Sequence, residues 1–263
     1  MEKLLQVNGL CAGYGGCDTV RNVSLDVARG EIFGIAGESG CGKSTLLKAI
    51  MELPASGVAI NRGSVVFDGR NLSGLSPGEF RKIRGSEMCM VFQNASASMN
   101  PIRKIKKQAY ETLRSHRKMC RCEAYDLIAS VFEKLGLSDF DRIMNSCPYE
   151  LSGGMNQRVA IALAMVMEPK LILADEPTSA LDVTTQAQVA DELMLLREKF
   201  GTSVVIVSHN IGLISRMADT VAVMHDGQIA EMGAKEKVLK NPEHPYTKSL
   251  IEVVPRLKGA NCG

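Results

Sequence analysis

Residues 37–45 read GESGCGKST, a glycine-rich loop that runs directly into Lys-Ser-Thr. The spacing matches G-x-x-x-x-G-K-S, in which glycines let successive backbone N–H groups turn inward around phosphate oxygens. The apolar run before it (EIFGIA) predicts a buried strand, and the run after it (LLKAIM) predicts a helix. Strand, loop and helix in this order are the context that the motif requires, so we predict a phosphate-binding site here.

Individual side chains of this loop have predictable roles. Lys43 is expected to reach the β- and γ-phosphates, and the hydroxyl of Ser44 to ligate Mg²⁺. Cys41 lies beside phosphate-binding N–H groups and the positive end of a helix, a setting that favours the thiolate. The predicted nucleotide-binding residues of the loop are Gly37, Glu38, Ser39, Gly40, Cys41, Gly42, Lys43, Ser44 and Thr45.

A second apolar strand (KLILADE) ends in two adjacent carboxylates, Asp175 and Glu176. The first is placed to hold Mg²⁺, and the second is next in line as a general base for a water. Two carboxylates directly beyond an apolar strand are rarely structural, so we predict a catalytic edge at this point.

Two further apolar runs also end in polar side chains. Gln93 follows MCMVF, and His209 follows SVVIVS. Because the carboxyl ends of parallel strands meet at one edge of an open α/β sheet, we expect both side chains near Asp175. Gln93 would then contact Mg²⁺ or the attacking water, and His209 would bond a γ-phosphate.

The segment YELSGGMNQR predicts a helix start. Ser152 suits the cap position, and Gly153 and Gly154 expose N–H groups at the first turn. These groups would form a second anion-binding site. The alternative interpretation is an ordinary capped helix.

The amino-terminal region predicts antiparallel strands over residues 4–27, interrupted by a loop, CAGYGGCDT. Two interpretations of Tyr14 in that loop stay open: stacking on adenine, or packing on the sheet. Residues 57–63 are predicted as a loop and residues 64–68 as a strand.

From about residue 95 to 167 the pattern is helical. The run 102–119 is strongly basic, and a solvated helix face is favoured over a phospholipid or nucleic-acid patch. Closing strands are expected near 220–224 and 228–232, and two prolines in NPEHPYT fix a turn before a short helix.

Composition sets outer limits on function. The chain has 263 residues, of which 45% are hydrophobic and 23% charged. Its net charge is +2, so it lacks the strong positive electrostatic field that favours nucleic-acid binding. It has no apolar run of transmembrane length and no secretion signal, so a cytoplasmic protein is expected. Its eight cysteines are irregularly spaced, which favours reduced thiols over a metal or disulfide role.

In this order the motifs resemble those of the nucleotide-binding subunit of an ATP-binding-cassette (ABC) transporter, over nearly the whole chain. They are GESGCGKS, Gln93 after VF, LSGGM, LILADEP and His209 in VSHN. The resemblance implies an α/β fold: a P-loop NTPase core with a mainly parallel sheet and flanking helices, and an antiparallel β subdomain. It further implies one domain, 1–263, with a helical subdomain inserted at about 94–167 and a C-terminal extension at about 236–263.

The resemblance also implies residue roles. Tyr14 matches the adenine-stacking position, Asp182 matches the D-loop, and Glu176 is the catalytic carboxylate. The remaining roles are γ-phosphate sensing by Gln93 and His209, and phosphate and magnesium binding by Lys43, Ser44 and Thr45.

One departure concerns the signature, usually LSGGQ, where Met155 replaces glutamine. Ser152 and the glycine N–H groups remain, so the change should tune function rather than abolish it. LSGGM and the tail NPEHPYTKSLIEVVP resemble the oligopeptide, dipeptide and nickel import branch. Some relatives carry a C-terminal iron–sulfur cysteine cluster; only Cys262 stands there, so that cofactor is not expected.

The implied function is an ATPase that uses ATP and Mg²⁺ to drive uptake through a membrane permease, from the cytoplasmic face of the membrane. The implied partners are two integral-membrane permease subunits, a second homologous ATPase and, indirectly, a solute-binding protein; nucleic acid is not among them. Import is expected over export because no membrane segment is fused to the chain. Peptide, nickel and metal chelate stay open as cargo.

Two other classes share these motifs. Non-transport cassette ATPases of DNA repair carry a long coiled coil, for which there is no sustained heptad run here, and those of translation usually hold two cassettes. A regulatory ATP-binding module without turnover is disfavoured by the presence of Glu176 and His209.

Overall fold

The computed structural model describes residues 2–53, 56–179 and 181–252. Within these residues the strands form two sheets. They are β1 (Lys3–Tyr14), β2 (Cys17–Ala28), β3 (Ile32–Ala36), β4 (Val58–Phe67), β5 (Arg70–Asn71), β6 (Met88–Val91), β7 (Leu171–Asp175), β8 (Ser203–Ser208), β9 (Thr220–His225) and β10 (Gln228–Ala234).

Helices flank both sheets and fill the segment between β6 and β7. They are α1 (Lys43–Ile50), α2 (Pro77–Ile83), α3 (Ala95–Ser98), α4 (Ile105–His116), α5 (Arg121–Lys134), α6 (Phe140–Asn145), α7 (Gly153–Met165), α8 (Val183–Phe200), α9 (Ile211–Met217), α10 (Lys235–Lys240) and α11 (Pro245–Glu252), with a short 3-10 helix at Pro148–Glu150.

The larger sheet has the strand order β10-β9-β3-β8-β7-β6, and only β10 is antiparallel to its neighbour. Every residue of β3, β7 and β8 is buried, because helices cover one face of these parallel strands and α1 with the smaller sheet covers the other. The carboxyl ends of these strands therefore meet at one edge, where the polar residues after each strand are brought together.

The smaller sheet is antiparallel, with the order β2-β1-β4-β5. Two predicted loops are wrong in this sheet. The loop around Tyr14 shrinks to a turn at Gly15 and Gly16, because Tyr14 pairs with Cys17 at the strand ends. The loop at 57–63 is strand from Val58 onward, because β4 pairs with β1 along this length. In this part of β4 the half-buried Val58 and Ile60 alternate with exposed residues, but Gly57 and Gly63 on either side indicate a loop in the sequence.

The helical character of residues 95–167 is confirmed as α3 to α7. Basic side chains of α4 mostly face solvent, and Lys106 reaches Asn145 Oδ1 at 2.6 Å. The helix α7 begins at Gly153, directly after the predicted cap, and Ser152 Oγ accepts the Met155 N–H at 3.2 Å.

The start of α7 lies directly against the start of α8. A Cβ atom on Gly154 would stand 2.3 Å from Cγ2 of Thr185, so this glycine is required by close helix packing. A Cβ on Gly153 would meet nothing within 4 Å, which leaves that backbone open on its outer side.

The α/β fold class is confirmed, with a mainly parallel sheet, an antiparallel sheet and an inserted helical segment. In the described ranges, no helix is long and apolar enough to cross a membrane. The short helix after the two prolines is present as α11, whereas α10 is an addition that the sequence reasoning missed. The rest of the expected C-terminal extension after residue 252, including Cys262, lies outside the described residues, as does Ala180.

Candidate functional site

The loop between β3 and α1 depends on glycine at two positions. A Cβ on Gly37 would lie 2.3 Å from the backbone oxygen of Met224 in β9, so no side chain fits there. Gly42 has φ of +106°, in the region that favours glycine, and it stands directly before the first residue of α1. The β9–β10 turn also supports the loop, because Gly227 N–H donates to the Cys41 carbonyl at 3.0 Å.

Lys43 occupies the centre of this loop and is only 4% exposed. Its ammonium donates to the backbone oxygens of Gly37, at 2.9 Å, and Glu38, at 2.7 Å. A buried charge requires such partners, and here both belong to the loop itself. The ammonium is thus held where an anion entering the loop would meet it.

Ser44 and Asp175 place two oxygens side by side at the carboxyl edge of the sheet. Ser44 Oγ donates to Asp175 Oδ1 at 2.7 Å. Burial raises the pKa of Asp175, against the opposing effects of the Ser44 hydrogen bond and of Lys48 and Lys43. A hydroxyl beside a desolvated carboxylate is a donor set that suits Mg²⁺, since a divalent cation would compensate the buried charge.

Glu176 follows β7 in a left-handed backbone conformation, with φ of +45°, which is uncommon for a residue that has a Cβ. Its N–H donates to the Val207 carbonyl of β8 at 3.0 Å, so the strained backbone is held by the sheet. Strain of this kind persists where neighbouring structure over-determines it, and it clusters at functional sites.

The Glu176 carboxylate lies between two nitrogen groups. Its Oε1 is 3.9 Å from Lys43 Nζ, and its Oε2 is 3.1 Å from Nδ1 of His209. Its side chain is 14% exposed, so one face remains open to water. His209 was expected near Asp175, and the structure places it at this edge with its ring bonded to the adjacent Glu176, a contact that the sequence did not predict.

Gln93 lies two residues beyond β6, the strand next to β7, and its side chain is exposed. The backbone just before it is tied to α7, because Gln157 Nε2 donates to the Phe92 carbonyl at 3.3 Å. Gln157 is 3% exposed and escaped the sequence reasoning, since nothing in its spacing indicates a contact across 65 residues.

Three predicted parts of the site make no described hydrogen bond or ion pair to this cluster. In the described ranges, no hydrogen bond or ion pair joins residues 152–154 to residues 37–45. Asp182 caps α8, accepting from Thr185 N at 3.0 Å. Tyr14 ends β1 in the other sheet, with 42% of its surface exposed beside the β1–β2 turn.

The expectation of a thiolate at Cys41 is wrong. Burial raises the pKa of this thiol and outweighs the lowering effect of Lys43. The side chain is 8% exposed and packs within the buried core, with its Sγ 3.8 Å from Lys43 Nζ. At neutral pH Cys41 is therefore a small buried thiol that fills space.

Together these residues can perform a defined chemistry. A glycine loop with a central ammonium binds an anion, an adjacent hydroxyl and carboxylate suit a divalent cation, and an oriented carboxylate faces the same space. This combination suits the transfer of a phosphoryl group to water.

Comparisons with known proteins agree with this chemistry. Residues 20–179 match the family described as ABC transporter, and residues 230–262 match the family described as oligopeptide/dipeptide transporter, C-terminal region. The chain is 40% identical over 262 residues to the dipeptide transport ATP-binding protein DppD of Bacillus subtilis, covering 98% of this chain and 78% of that protein. It is also 40% identical to the oligopeptide transport ATP-binding protein OppD of the same organism, covering 99% and 74%.

Solved structures give the same picture. An ATP-binding cassette whose dimeric structure represents a post-hydrolysis state with ADP and Pi superposes with a TM-score of 0.77 and 28% identity, covering 88% of this chain and 99% of that one. The protein cbiO1 of Clostridium perfringens, part of the cbiONQ transporter complex, has a TM-score of 0.78 at 24% identity, covering 92% of each chain.

The raised pKa of Asp175 has a consequence for stability. The folded, nucleotide-free protein binds a proton at this carboxyl more tightly than the unfolded chain, so this group's contribution to the free energy of unfolding falls as pH rises. Asp175→Asn removes the charge and keeps an acceptor for Ser44. We expect the variant to exceed the wild type in stability at pH 7, with the advantage shrinking toward pH 4, as measured by urea unfolding.

Asp126→Asn, at an exposed position on α5, is the matched control and should change stability little at either pH. An Asp175→Asn chain that is less stable than the wild type at pH 7 would contradict the assignment of burial as the dominant influence on this carboxyl.

Proposed function

The chain belongs to the ABC transporter family of ATP-hydrolysing subunits, and we propose that it drives the uptake of peptides through a membrane permease. The observation that carries this proposal is the contact chain Ser44–Asp175 and Lys43–Glu176–His209 at one sheet edge. It joins a phosphate-binding loop to a carboxylate oriented for water, which a module that only binds nucleotide does not need.

In the proposed reaction the loop N–H groups surround the phosphates of ATP and the N-terminus of α1 adds its positive end. Lys43 exchanges its carbonyl partners for β- and γ-phosphate oxygens. Ser44 and Asp175 would hold Mg²⁺, which neutralises phosphate charge when bound.

Glu176 accepts a proton from the attacking water, and His209 holds the carboxylate through Oε2 so that its other oxygen faces the loop. The strained backbone at Glu176, fixed to β8, keeps this orientation when the side chain is not bonded to substrate. Gln93, on the neighbouring strand end, would contact the metal or the water. Since the transferred group passes through a loose transition state, positioning of this kind supplies most of the catalysis.

We further propose that Ser152, Gly153 and Gly154 serve a second cassette rather than the loop of their own chain. The exposed backbone of Gly153 at the start of α7 and the lack of a described bond to residues 37–45 support this arrangement. The dimeric structure of the similar cassette also supports it. Asp182, which caps the neighbouring α8, and Tyr14, proposed to stack on adenine, would complete the nucleotide contacts.

The helical segment at about 94–167 would carry closure of that pair to the permease, with Gln93 as its hinge. The bond from Gln157 in α7 to the Phe92 carbonyl supports this link. We also propose that the chain is one cassette, 1–263, which contains this inserted subdomain and an extension from about residue 236. The same bond supports this division.

Peptides are the proposed cargo, because the similar DppD and OppD proteins are named for dipeptide and oligopeptide transport. The match of residues 230–262 to the oligopeptide/dipeptide transporter C-terminal region adds support for peptides. Nickel is the alternative cargo. The proposed location is the cytoplasmic face of the membrane, bound to two permease subunits and a second ATPase.

Replacing the proposed base tests the reaction directly. Glu176→Gln should still bind Mg-ATP yet hydrolyse it at least ~10²-fold more slowly in the complex purified through a tag on this chain, because the amide cannot accept the proton. Phosphate release is the measurement.

Glu168→Gln is the matched control. Glu168 also has a positive φ, of +51°, but it is exposed at the opposite end of β7, so its variant should keep wild-type turnover. Near-normal turnover by Glu176→Gln would refute the role of Glu176 as base.

Partnership gives a separate prediction. Light scattering of the isolated Glu176→Gln chain with Mg-ATP should give the mass of one chain, because the proposed partner is a different, homologous ATPase. An ATP-dependent dimer of this chain alone would contradict the mixed pair and favour two identical cassettes.

A further inference from the structure

The C-terminal helix α11 is fastened to the core next to the phosphate loop. Two consecutive N–H groups before it, of Glu243 and His244, donate to the Glu231 carboxylate of β10 at 2.9 and 3.1 Å. Apolar side chains of α11 pack on a small buried cluster that contains Ala36, the last residue of β3 before the loop. The helix is therefore held at a defined position relative to residues 37–45.

Tyr246, in the first turn of α11, points from this anchor toward the loop. Its ring stacks on His225 with a centroid distance of 3.8 Å and an interplanar angle of 23°. His225 ends β9 and precedes the turn whose Gly227 N–H bonds the Cys41 carbonyl. The tyrosine ring thus rests on the same hairpin that supports the loop.

The Tyr246 hydroxyl reaches the loop itself. It accepts the Glu38 N–H at 3.3 Å, and the carbonyl of the same Glu38 accepts the Lys43 ammonium at 2.7 Å. One residue is therefore bonded on its N–H side to the C-terminal helix and on its carbonyl side to the central cation. A displacement of Glu38 would therefore move both its own carbonyl oxygen and the Lys43 ammonium bonded to it.

We propose that Tyr246 is a positioning residue of the nucleotide site, which holds Glu38 so that the loop keeps its phosphate-binding shape around Lys43. The proposal rests on the proposed function, and it makes the C-terminal segment part of the machinery that sets ATP affinity. Burial raises the pKa of the Tyr246 phenol, so the hydroxyl remains neutral and can keep accepting at physiological pH.

The test uses Tyr246→Phe in the full chain, because phenylalanine keeps the ring on His225 and removes only the hydroxyl. One neutral hydrogen bond contributes about 0.5–1.5 kcal/mol, which corresponds to a loss of about 2- to 12-fold in affinity for Mg-ATP. Displacement of a fluorescent ATP analogue by Mg-ATP gives the dissociation constant. Hydrogen–deuterium exchange of peptides spanning residues 37–43, without nucleotide, should be faster in the variant.

Tyr125→Phe is the matched control, because it removes a hydroxyl that bonds Asp141 in the helical segment, away from the loop. It should leave both affinity and exchange at residues 37–43 unchanged. The melting temperature of nucleotide-free Tyr246→Phe should stay within roughly 4 °C of the wild type, since the loss of one such bond shifts a chain of this size by only a few degrees.

Unchanged affinity and unchanged exchange in Tyr246→Phe would overturn the proposal. A loss of affinity matched by a large fall in melting temperature, with exchange faster throughout the chain, would also overturn it in favour of a purely structural role. A wild-type chain that fails to bind Mg-ATP would contradict the proposed function instead, and the exchange measurement would still decide the role of Tyr246.

Discussion

The Lys43 ammonium, buried in its own loop, is the interaction on which the rest of the site depends. Without substrate it is compensated by two backbone carbonyls, those of Gly37 and Glu38, and faces the Glu176 carboxylate at 3.9 Å. The two carbonyls are neutral acceptors and the carboxylate stands beyond hydrogen-bond distance, so a phosphate oxygen offers the ammonium a stronger, charge-assisted bond. The Lys43 ammonium can thus exchange its present partners for phosphate oxygens. Burial favours this exchange, because water competes weakly for the ammonium inside the loop.

Topology explains why the other groups meet this cation. The strands β3, β7 and β8 are adjacent and parallel, so the residues that follow them share one edge. Asp175 and Glu176 come from β7 and His209 from the end of β8, while the loop follows β3. The left-handed backbone at Glu176 turns its carboxylate back toward the loop, and the bond to the Val207 carbonyl fixes that turn. The position of these residues at the ends of their strands therefore brings the reacting groups together, with little contribution from long-range side-chain packing.

Much of this was predictable, because strand-end residues and glycine loops act through local backbone geometry. The position of His209 at the sheet edge near Asp175 followed from where their strands end, and the Ser152 cap followed from its position before two glycines. The failures have a common physical origin in contacts between distant segments. Pairing with β1 made residues 58–63 a strand where the flanking glycines had indicated a loop, burial raised the pKa of Cys41 where a lowered one was expected, and the bonds of Gln157 and Tyr246 cross 65 and 208 residues. Spacing along one chain carries no signal for such contacts.

The measurement that tests the central claim most directly is calorimetric titration of the nucleotide-free chain with Mg-ATP, comparing wild type, Lys43→Ala and Lys199→Ala. Lys199 is exposed near the end of α8 and serves to match the loss of one positive charge. The account predicts binding by the wild type and by Lys199→Ala, and binding at least ~10-fold weaker in Lys43→Ala, because a charge-assisted hydrogen bond to phosphate contributes about 1.5–3 kcal/mol. Equal affinity of all three chains would contradict the account, since the loop would then bind phosphate without its central cation.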